Sequence, residues 1–366
     1  MFPYLRNANV KWGDFDLDNL LQMRFEKSEV ERYSICNGDL VICEGGEPGR
    51  CAVWESEQTA FIQKALHRVR PYANINTKYI CFVMRHYAQS NLLNEYFTGS
   101  TIKHLTGQSL SVILFPLPPL AEQHRIVDAI KSAFAVIDEI ERNKSDLQAA
   151  VTSAKQKILS LAMSGKLVPQ DENDEPAEEL LKRIKSERDK LIKAGKIKAD
   201  KREKDWAITR DNSHYEKLPL IAVCRLFNTA ESANGTLPYL EVRYLRTQSS
   251  PDYKQSGRYI ESGTAVILVD GENSGEVFNV CENGYMGSTF RELLISKEYD
   301  ERFVLLFIKH YQHELRESKT GSAIPHLNKK MFAELPIPLI SIETQRRIVG
   351  VVNSQFAILD EISSNI

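Results

Sequence analysis

The sequence predicts an α+β protein made of two similar mixed α/β domains that are joined and spaced by long coiled-coil-like helices. Three observations carry this prediction: the chain repeats itself, an apolar heptad stripe follows the first repeat, and a polar helical segment leads into the second. At roughly 100 to 200 residues per domain, a chain of 366 residues has room for this arrangement. We place the first domain at 1–118, a central spacer at 119–212, the second domain at 213–340 and the start of a distal spacer helix at 341–366.

The internal repeat is found by laying residues 1–140 over residues 236–362. Five short matches keep the same order, and their offset drifts from 235 to 222, as loop-length differences between two copies of one fold would produce. A period above 200 residues is too long for a solenoid, so the repeat indicates a duplicated domain. The matches pair Pro3-Tyr4-Leu5 with Pro238-Tyr239-Leu240, 99–105 with 321–327, Pro116-Leu117-Pro118 with Pro336-Ile337-Pro338, Arg125-Ile126-Val127 with Arg347-Ile348-Val349, and 137–140 with 359–362.

Each copy has the pattern of a small mixed α/β domain. The β-rich runs at 39–43 and 265–269 end in the glycine-rich turns EGGEPG and DGENSG, which is typical of strand–turn–strand structure. Helical patterns follow at 77–97 and 301–318. We expect each copy to close with a proline-punctuated strand, LFPLPPL in the first copy and AELPIPLI in the second.

A long helix is predicted between Ala121 and Ser164, where apolar residues recur at alternating spacings of four and three. Only Lys144 interrupts this heptad stripe, and Gly165 supplies a stop. The natural partner is the equivalent helix of the second copy, whose stripe is Ile348, Val352, Leu359 and Ile362. Because that helix reaches only the equivalent of Lys144, we expect 147–161 to stay uncovered and to dock another subunit or a second copy of the chain. The residues to which we assign partner binding are Ile130, Ile137, Ile140, Leu147, Val151, Ile158 and Leu161.

A polar segment at 165–206 separates this helix from the second copy. Asp174 is its predicted N-cap and Gly195 marks its end, so 175–194 are predicted to be helical. From Lys182 to Lys204 there are eleven Lys and Arg residues against four acids. Such a run is most often a solvated helix face and a linker, and contact with phosphates is the alternative.

The overall composition argues against several classes of protein. Net charge is −2, so any anion-binding surface has to be a local patch. The chain has no run of 18 apolar residues and no secretory signal pattern at its start, so we expect a cytoplasmic protein with no membrane association. Its six cysteines form no CxxC and are predicted to be reduced packing residues, in preference to a disulfide or zinc framework.

The tract GKLVPQDENDEPAEELLKRIKSERDKLIKAGK, the paired segments PLPPLAEQHRIV and PLISIETQRRIV, and the two-copy layout resemble the specificity subunit of type I restriction-modification enzymes. The resemblance implies a non-catalytic subunit whose two target-recognition domains each read half of a bipartite site in double-stranded DNA. It implies helices that bind methyltransferase subunits, with a restriction subunit joining through the complex. The lead-in at 215–236 has no counterpart before the first copy, and the distal helix is shorter than its counterpart, so the chain resembles a subunit truncated at both ends.

No catalytic residue, metal site or cofactor is predicted. The sequence lacks the Asn-Pro-Pro-Tyr/Phe motif of methylases and the GxxxxGK[ST] phosphate loop. The nuclease-like string Pro251-Asp252-Tyr253-Lys254 is better explained as a proline turn. His310 and His313 share a helical face but have no third ligand nearby, which favours a helix-surface role.

Candidate DNA contacts follow from side-chain chemistry, because Arg, Lys, Asn and Gln read base edges while hydroxyls and backbone amides hold phosphates. In each copy these groups gather in three polar loops, although any one of them could be an ordinary solvated residue. Those of the second copy are Arg243, Arg246, Gln248, Asn273, Lys319, His326, Asn328, Lys329 and Lys330. Those of the first copy are Arg6, Asn9, Lys11, Arg50, Lys103 and His104.

Two other functions fit the same residues. One is a reader fragment of a single-chain restriction-methylation enzyme, which a neighbouring reading frame with the catalytic motifs would reveal. The other is a truncated non-functional subunit or oligomerisation decoy that binds partners through its helix without reading DNA.

Overall fold

The computed structural model describes residues 1–169, 171, 173–199, 208–209, 214–228, 232–247, 250–321 and 325–365. The chain divides into two compact units, Met1–Arg142 and Asn143–Ile366. Each unit combines sheets and helices around its own buried apolar clusters. The prediction of two similar mixed domains and a long helix is confirmed.

Unit 1 contains two small sheets and a helix that packs on the second of them. One sheet has the strand order β2-β1-β6-β3, and the other has the order β5-β4-β7. The elements are β1 (Phe2–Leu5), β2 (Leu21–Met23), α1 (Lys27–Tyr33), β3 (Ser34–Ile35), β4 (Leu40–Cys43), β5 (Cys51–Val53), β6 (Ala60–Ile62), β7 (Leu66–Val69), α2 (Thr77–Gln89) and α3 (Gly107–Leu110). The next helix, α4 (Leu120–Met163), begins in unit 1 and ends in unit 2.

Unit 2 repeats this plan and adds further elements. Its sheets are the small barrel β10-β11-β14, the four-stranded sheet β13-β12-β15-β9 and the pair β16-β8. The elements are α5 (Ala177–Lys193), β8 (Lys217–Pro219), β9 (Cys224–Phe227), β10 (Ser232–Leu240), α6 (Val242–Thr247), β11 (Asp252–Ile260), β12 (Ala265–Leu268), β13 (Val277–Asn279), β14 (Gly284–Met286), β15 (Phe290–Ile295), α7 (Glu301–His310), α8 (Gln312–Glu317), α9 (Lys329–Glu334), β16 (Pro336–Pro338) and α10 (Ile342–Ser364).

The duplication extends to strand register. In unit 1, Tyr4 pairs with Leu21 on an antiparallel neighbour and with Phe61 on a parallel one. In unit 2, Tyr239 holds the same position between Asp252 and Tyr285. A shared register means that equivalent side chains of the two copies point to the same face of their sheets.

The closing strand predicted for both copies is present only in the second. Pro336–Pro338 pairs with Lys217–Pro219, which belongs to the lead-in at 215–236. In the first copy, no residue of LFPLPPL belongs to a strand. Two of its side chains, Leu114 and Leu117, are exposed by 80% and 65%. The prediction of a closing strand in the first copy was therefore wrong.

The exposed part of α4 differs from the expected one. Val151, Leu159 and Ala162 are buried, whereas every residue from 131 to 150 is exposed. Inside unit 2, Lys155 forms an ion pair with Asp360 of α10. The expectation that 147–161 stay uncovered was wrong. It assumed that α10 lies beside the residues of α4 to which the repeat matches it. In the structure α10 lies against the last third of α4 instead.

The polar segment forms α5 as expected, but Asp174 does not cap it. The N-cap of α5 is Pro176. Asp174 instead accepts two hydrogen bonds from Arg347 and one from Thr344, both on α10. These bonds hold the pKa of the Asp174 carboxyl at about 2, with the Arg347 hydrogen bonds as the main cause. The polar tract is thereby clamped to the first turns of α10.

Candidate nucleic-acid interface

In unit 2 the glycine-rich turn at 270–275 lies beside a hairpin that is closed by Thr320 and His326. The turn follows β12 and is closed by a 2.7 Å hydrogen bond from the Gly275 N–H to the Leu268 carbonyl. Gly271 and Gly275 have φ of 106° and 96°, values that a residue with a Cβ rarely adopts. The hairpin is attached to this turn at its end, because the Leu327 N–H donates to the Val269 carbonyl at 2.8 Å.

Unit 1 builds the same frame from its own copies of these loops. The Gly49 N–H closes the turn on the Cys43 carbonyl at 2.9 Å, and the Leu105 N–H donates to the Glu44 carbonyl at 2.7 Å. Thr98 and His104 exchange two backbone hydrogen bonds of 2.9 Å, as Thr320 and His326 do at 3.0 and 2.8 Å. The two units therefore present an equivalent pair of loops on one backbone design.

In unit 2 two of the predicted cations bind acidic residues of the turn. His326 Nδ1 lies 2.7 Å from the Asp270 carboxylate. Lys319 Nζ donates to the backbone carbonyl of Glu272 at 3.1 Å and to its carboxylate at 2.9 Å. DNA would have to compete with these carboxylates for both side chains.

The two arginines of α6 differ in whether an acidic side chain binds them. Arg246 binds the Glu276 carboxylate through both Nε and Nη2, and this hydrogen bonding raises the pKa of the guanidinium. Arg243 is exposed and makes no side-chain hydrogen bond or ion pair with any residue that the structure describes. Arg243 is thus free to bind an anion, whereas Arg246 is held by the turn. Gln248 lies outside the described residues.

The remaining predicted residues of unit 2 lie around α9. Asn328 is the N-cap of this helix, since its side chain accepts the Met331 N–H at 3.0 Å, and its amide also reaches the Ser318 carbonyl. Lys329 and Lys330 are exposed and have no side-chain partner within the described ranges. Asn273 is half-buried in the turn, where its backbone carbonyl accepts the Glu276 N–H.

In unit 1 the structure corrects two of the predicted contacts. Asn9 is only 3% exposed, and its side chain accepts the Arg6 N–H and donates to the Asp16 carbonyl. Arg50 is held by the Glu47 carboxylate at 2.6 Å and by the Asn7 carbonyl at 2.8 Å. Both residues stabilise loops and are not presented to a ligand. The sequence could not reveal this, because side-chain partners across loops depend on the fold.

The other four predicted residues of unit 1 stay near its surface. Lys11 is exposed without a side-chain partner among the described residues, and Lys103 lies near the Phe97 ring, 5.6 Å from its centroid. Arg6 is half-buried. His104 Nδ1 is 4.0 Å from the Glu44 carboxylate. Among these four, Lys103 also donates to the Asn94 side chain and Arg6 to the Asn19 carbonyl, so within the described residues only Lys11 has no side-chain partner.

One polar surface was missed by the sequence analysis. Asp252–Ile260 forms strand β11, so the prediction of a turn around Asp252 was wrong for the residues from Asp252 onward. Tyr253 is 63% exposed there, and Lys254 Nζ lies 3.2 Å from the centroid of the Tyr239 ring. The signal for this strand was present in the Pro-Tyr-Leu match, which fixes the register of its neighbour.

Other kinds of site find little support in the described part of the chain. No group of three or more His, Cys, Asp or Glu residues there could hold a metal ion. His310 is half-buried, which lowers its pKa, whereas His313 is exposed. None of the helices that the structure describes is long and apolar enough to cross a membrane.

The type I restriction modification DNA specificity domain matches residues 4–148 and 220–365 of the chain. The chain belongs to this family. The two matched segments fall in the two halves that carry the equivalent loop pairs. The likeness that the sequence tract and paired segments indicated is therefore confirmed at the level of the specificity-domain family.

The sequence identity between this chain and individual members of the specificity-domain family is low. The specificity subunit of the type I restriction enzyme EcoAI from Escherichia coli is 26% identical, over 78% of this chain and 60% of the relative. That of EcoEI, also from Escherichia coli, is 30% identical over 58% of this chain and 40% of the relative. The chain thus spans at most about 60% of the length of these two relatives.

Two solved structures share the fold. A chain from a study of complex assembly and conformational transition of the type I R-M system aligns with a TM-score of 0.65 at 16% identity, covering 100% of this chain and 86% of the other. The HsdS subunit from Thermoanaerobacter tengcongensis gives 0.55 at 17% identity, covering 99% and 85%. At this identity the likeness concerns the fold alone.

Proposed function

We propose that this chain is the DNA sequence-recognition subunit of a type I restriction-modification complex. Each unit reads one half of a bipartite target in double-stranded DNA through its turn-and-hairpin loop pair. The chain performs no reaction itself. Methyltransferase subunits dock on its helices, the restriction subunit joins through the complex, and the assembly works in the cytoplasm.

The observation that carries this proposal is the recurrence of one loop frame with different side chains in a chain of the specificity-domain family. A fixed backbone frame holds the reading surface, and the variable side chains choose the bases. At matched positions of the two hairpins, unit 1 has Lys103 where unit 2 has Pro325. Two units with different side chains on one frame would read two different half-sites.

Partner docking is supported by α4. Five large apolar side chains are exposed along 131–150 in the part of α4 where all residues face solvent: Phe134, Val136, Ile137, Ile140 and Leu147. Apolar residues at such density on a solvated helix are typical of a protein-binding surface. Of the residues assigned to partner binding, Ile137, Ile140 and Leu147 are exposed, Ile130, Ile158 and Leu161 are half-buried, and Val151 is buried.

The proposal is tested by expressing the chain with modification subunits in a host that lacks such a system and mapping the methylated bases of the host genome. A bipartite methylated motif is expected only when this chain is present. An unchanged methylation map with and without the chain would contradict the proposal.

Single substitutions in each unit provide a matched pair for this test. Lys103→Ala in unit 1 and Arg243→Ala in unit 2 should relax the base preference of different halves of the motif. If both variants change the same half, the assignment of one half-site to each unit is wrong.

A further inference from the structure

Unit 2 has a strongly basic cleft outside its turn-and-hairpin loop pair. The cleft has a volume of about 760 Å³ and lies between the segment that follows α5, the strand β9 and the helix α9. Lys196, Lys198, Arg225 and Lys329 line it, and none of the described lining residues is acidic. Cations from three separate chain segments therefore converge in one place.

The lysines of this cleft are available for binding. Lys196, Lys198 and Lys329 are exposed, and none makes an ion pair or a side-chain hydrogen bond with a residue that the structure describes. Arg225 has a different role, because its guanidinium donates to the Lys198 carbonyl at 3.0 Å and fixes the basic segment against β9. The positions of the lysine backbones are thus set by the fold.

The favourable interaction of cations with the C-terminal end of a helix explains only part of this cluster. Lys190 and Lys193 lie in the last turn of α5, where cations interact favourably with the helix dipole. Lys196 and Lys198 lie beyond the helix end, and Lys329 belongs to another helix. Like charges repel one another, and among the described lining residues no acid offsets these cations, so a bound polyanion would relieve the repulsion.

The cleft adjoins the proposed reading loops through one of its lining residues, Lys329. Lys329 follows Asn328, whose amide reaches the Ser318 carbonyl next to the hairpin. A DNA strand read by the hairpin would therefore pass close to the cleft. Contacts to phosphates beside the read bases are how DNA-binding proteins fix their register on a duplex.

We propose that Lys196, Lys198 and Lys329 form a phosphate-binding cleft that holds the DNA backbone next to the half-site read by unit 2. This inference rests on the proposed function, and it assigns a role to the basic segment between the spacer helix and the second domain. The cleft contributes affinity that does not depend on base sequence.

The test measures the salt dependence of binding to a mixed-sequence duplex by fluorescence anisotropy, using the full chain in complex with its methyltransferase subunits. Each phosphate contact contributes about 0.9 to the slope of log K against log salt concentration. The double variant Lys196→Gln with Lys198→Gln should make this slope shallower by about 1 to 2. It should also weaken binding to all sequences alike. The control is Lys157→Gln with Lys166→Gln, two exposed lysines outside the cleft that lose the same charge.

The outcomes separate this inference from the proposed function. If the unsubstituted complex selects a motif but the double variant keeps its slope within the range of the control, only the cleft assignment is overturned. Weaker assembly with methyltransferase subunits at an unchanged slope would also overturn it, in favour of protein docking. If the unsubstituted complex shows no sequence preference at all, the proposed function fails.

Discussion

Gln123 and Gln345 make the same two hydrogen bonds at equivalent positions of the two units. Each side-chain oxygen accepts the backbone N–H of a helix N-cap residue, Asn76 at 2.9 Å or Asp300 at 2.8 Å. Each side-chain nitrogen donates to the carbonyl five residues earlier in the chain, at 2.8 and 2.9 Å. Both glutamines are almost fully buried, so in each unit one side chain ties the start of a domain helix to the start of a spacer helix.

Replacing Gln345 by Met should destabilise unit 2. The thioether fills the space but leaves a backbone N–H and a carbonyl without their partner, at a cost of about 1 to 3 kcal/mol. Hydrogen–deuterium exchange should show faster exchange at the starts of α7 and α10. Gln123→Met should have the same effect at α2 and α4, and the exposed Gln148→Met serves as the control. Equal exchange in the Gln345 and Gln148 variants would contradict the assigned role.

The Asp174–Arg347 pair should make unit 2 sensitive to acid. The pKa of Asp174 is depressed to about 2 in the folded chain, so its contribution to stability is complete above the unfolded value of about 3.9. This contribution is lost as the pH falls from about 4 toward 2. Asp174→Asn should lower the free energy of unfolding by about 1 to 2 kcal/mol at neutral pH and remove this part of the acid dependence.

Denaturant unfolding of unit 2 at several pH values, followed by exchange at α10, measures this effect. Asp189→Asn is the matched control, because Asp189 is exposed and pairs only with its neighbour Arg188 among the described residues. An Asp174 variant whose stability changes with pH as steeply as that of the control would rule out the clamp.

Arg243 and Arg246 should respond differently to substitution. Loss of the exposed Arg243, which the proposed function assigns to base reading, should weaken binding to the methylated motif by about 1 to 3 kcal/mol. Arg246→Ala should weaken binding less, because Arg246 already binds Glu276 and mainly supports the turn. Anisotropy titrations with duplexes carrying the motif and a scrambled motif measure both effects. An Arg243 variant with unchanged affinity for both duplexes would remove it from the interface.

Ile140 should be a determinant of partner binding. It is 61% exposed on α4, so replacement by Asp costs the chain little stability while placing a charge on the docking face. Ile140→Asp should reduce co-purification of methyltransferase subunits at least about tenfold, equivalent to about 1.4 kcal/mol. The exposed neighbour Glu139→Gln is the control. Retention of partner by the Ile140 variant at the level of the control would argue against docking on this helix.

Features repeated within the sequence were predictable. The Pro-Tyr-Leu and Gly-Ser matches fall where strand register and hairpin closure are the same in both units, since backbone geometry depends on local pattern. The partners of individual side chains were not predictable. Glu276 lies 30 residues from Arg246, and Asp174 lies 173 residues from Arg347, so only the folded chain brings these charges together.

In unit 1 the sheet β5-β4-β7 ends at β7. The equivalent sheet of unit 2, β13-β12-β15-β9, has one more strand, β9, at that edge. A bare strand edge invites pairing with other chains, and three residues at this border discourage it. Arg68 bonds the carbonyls of Glu31 and Ser34, Arg70 is tied to the buried Asp39, and Pro71 has no N–H to offer. We therefore expect Arg68, Arg70 and Pro71 to keep this strand edge from pairing with other chains, and apolar residues at these positions to promote self-association into polymers.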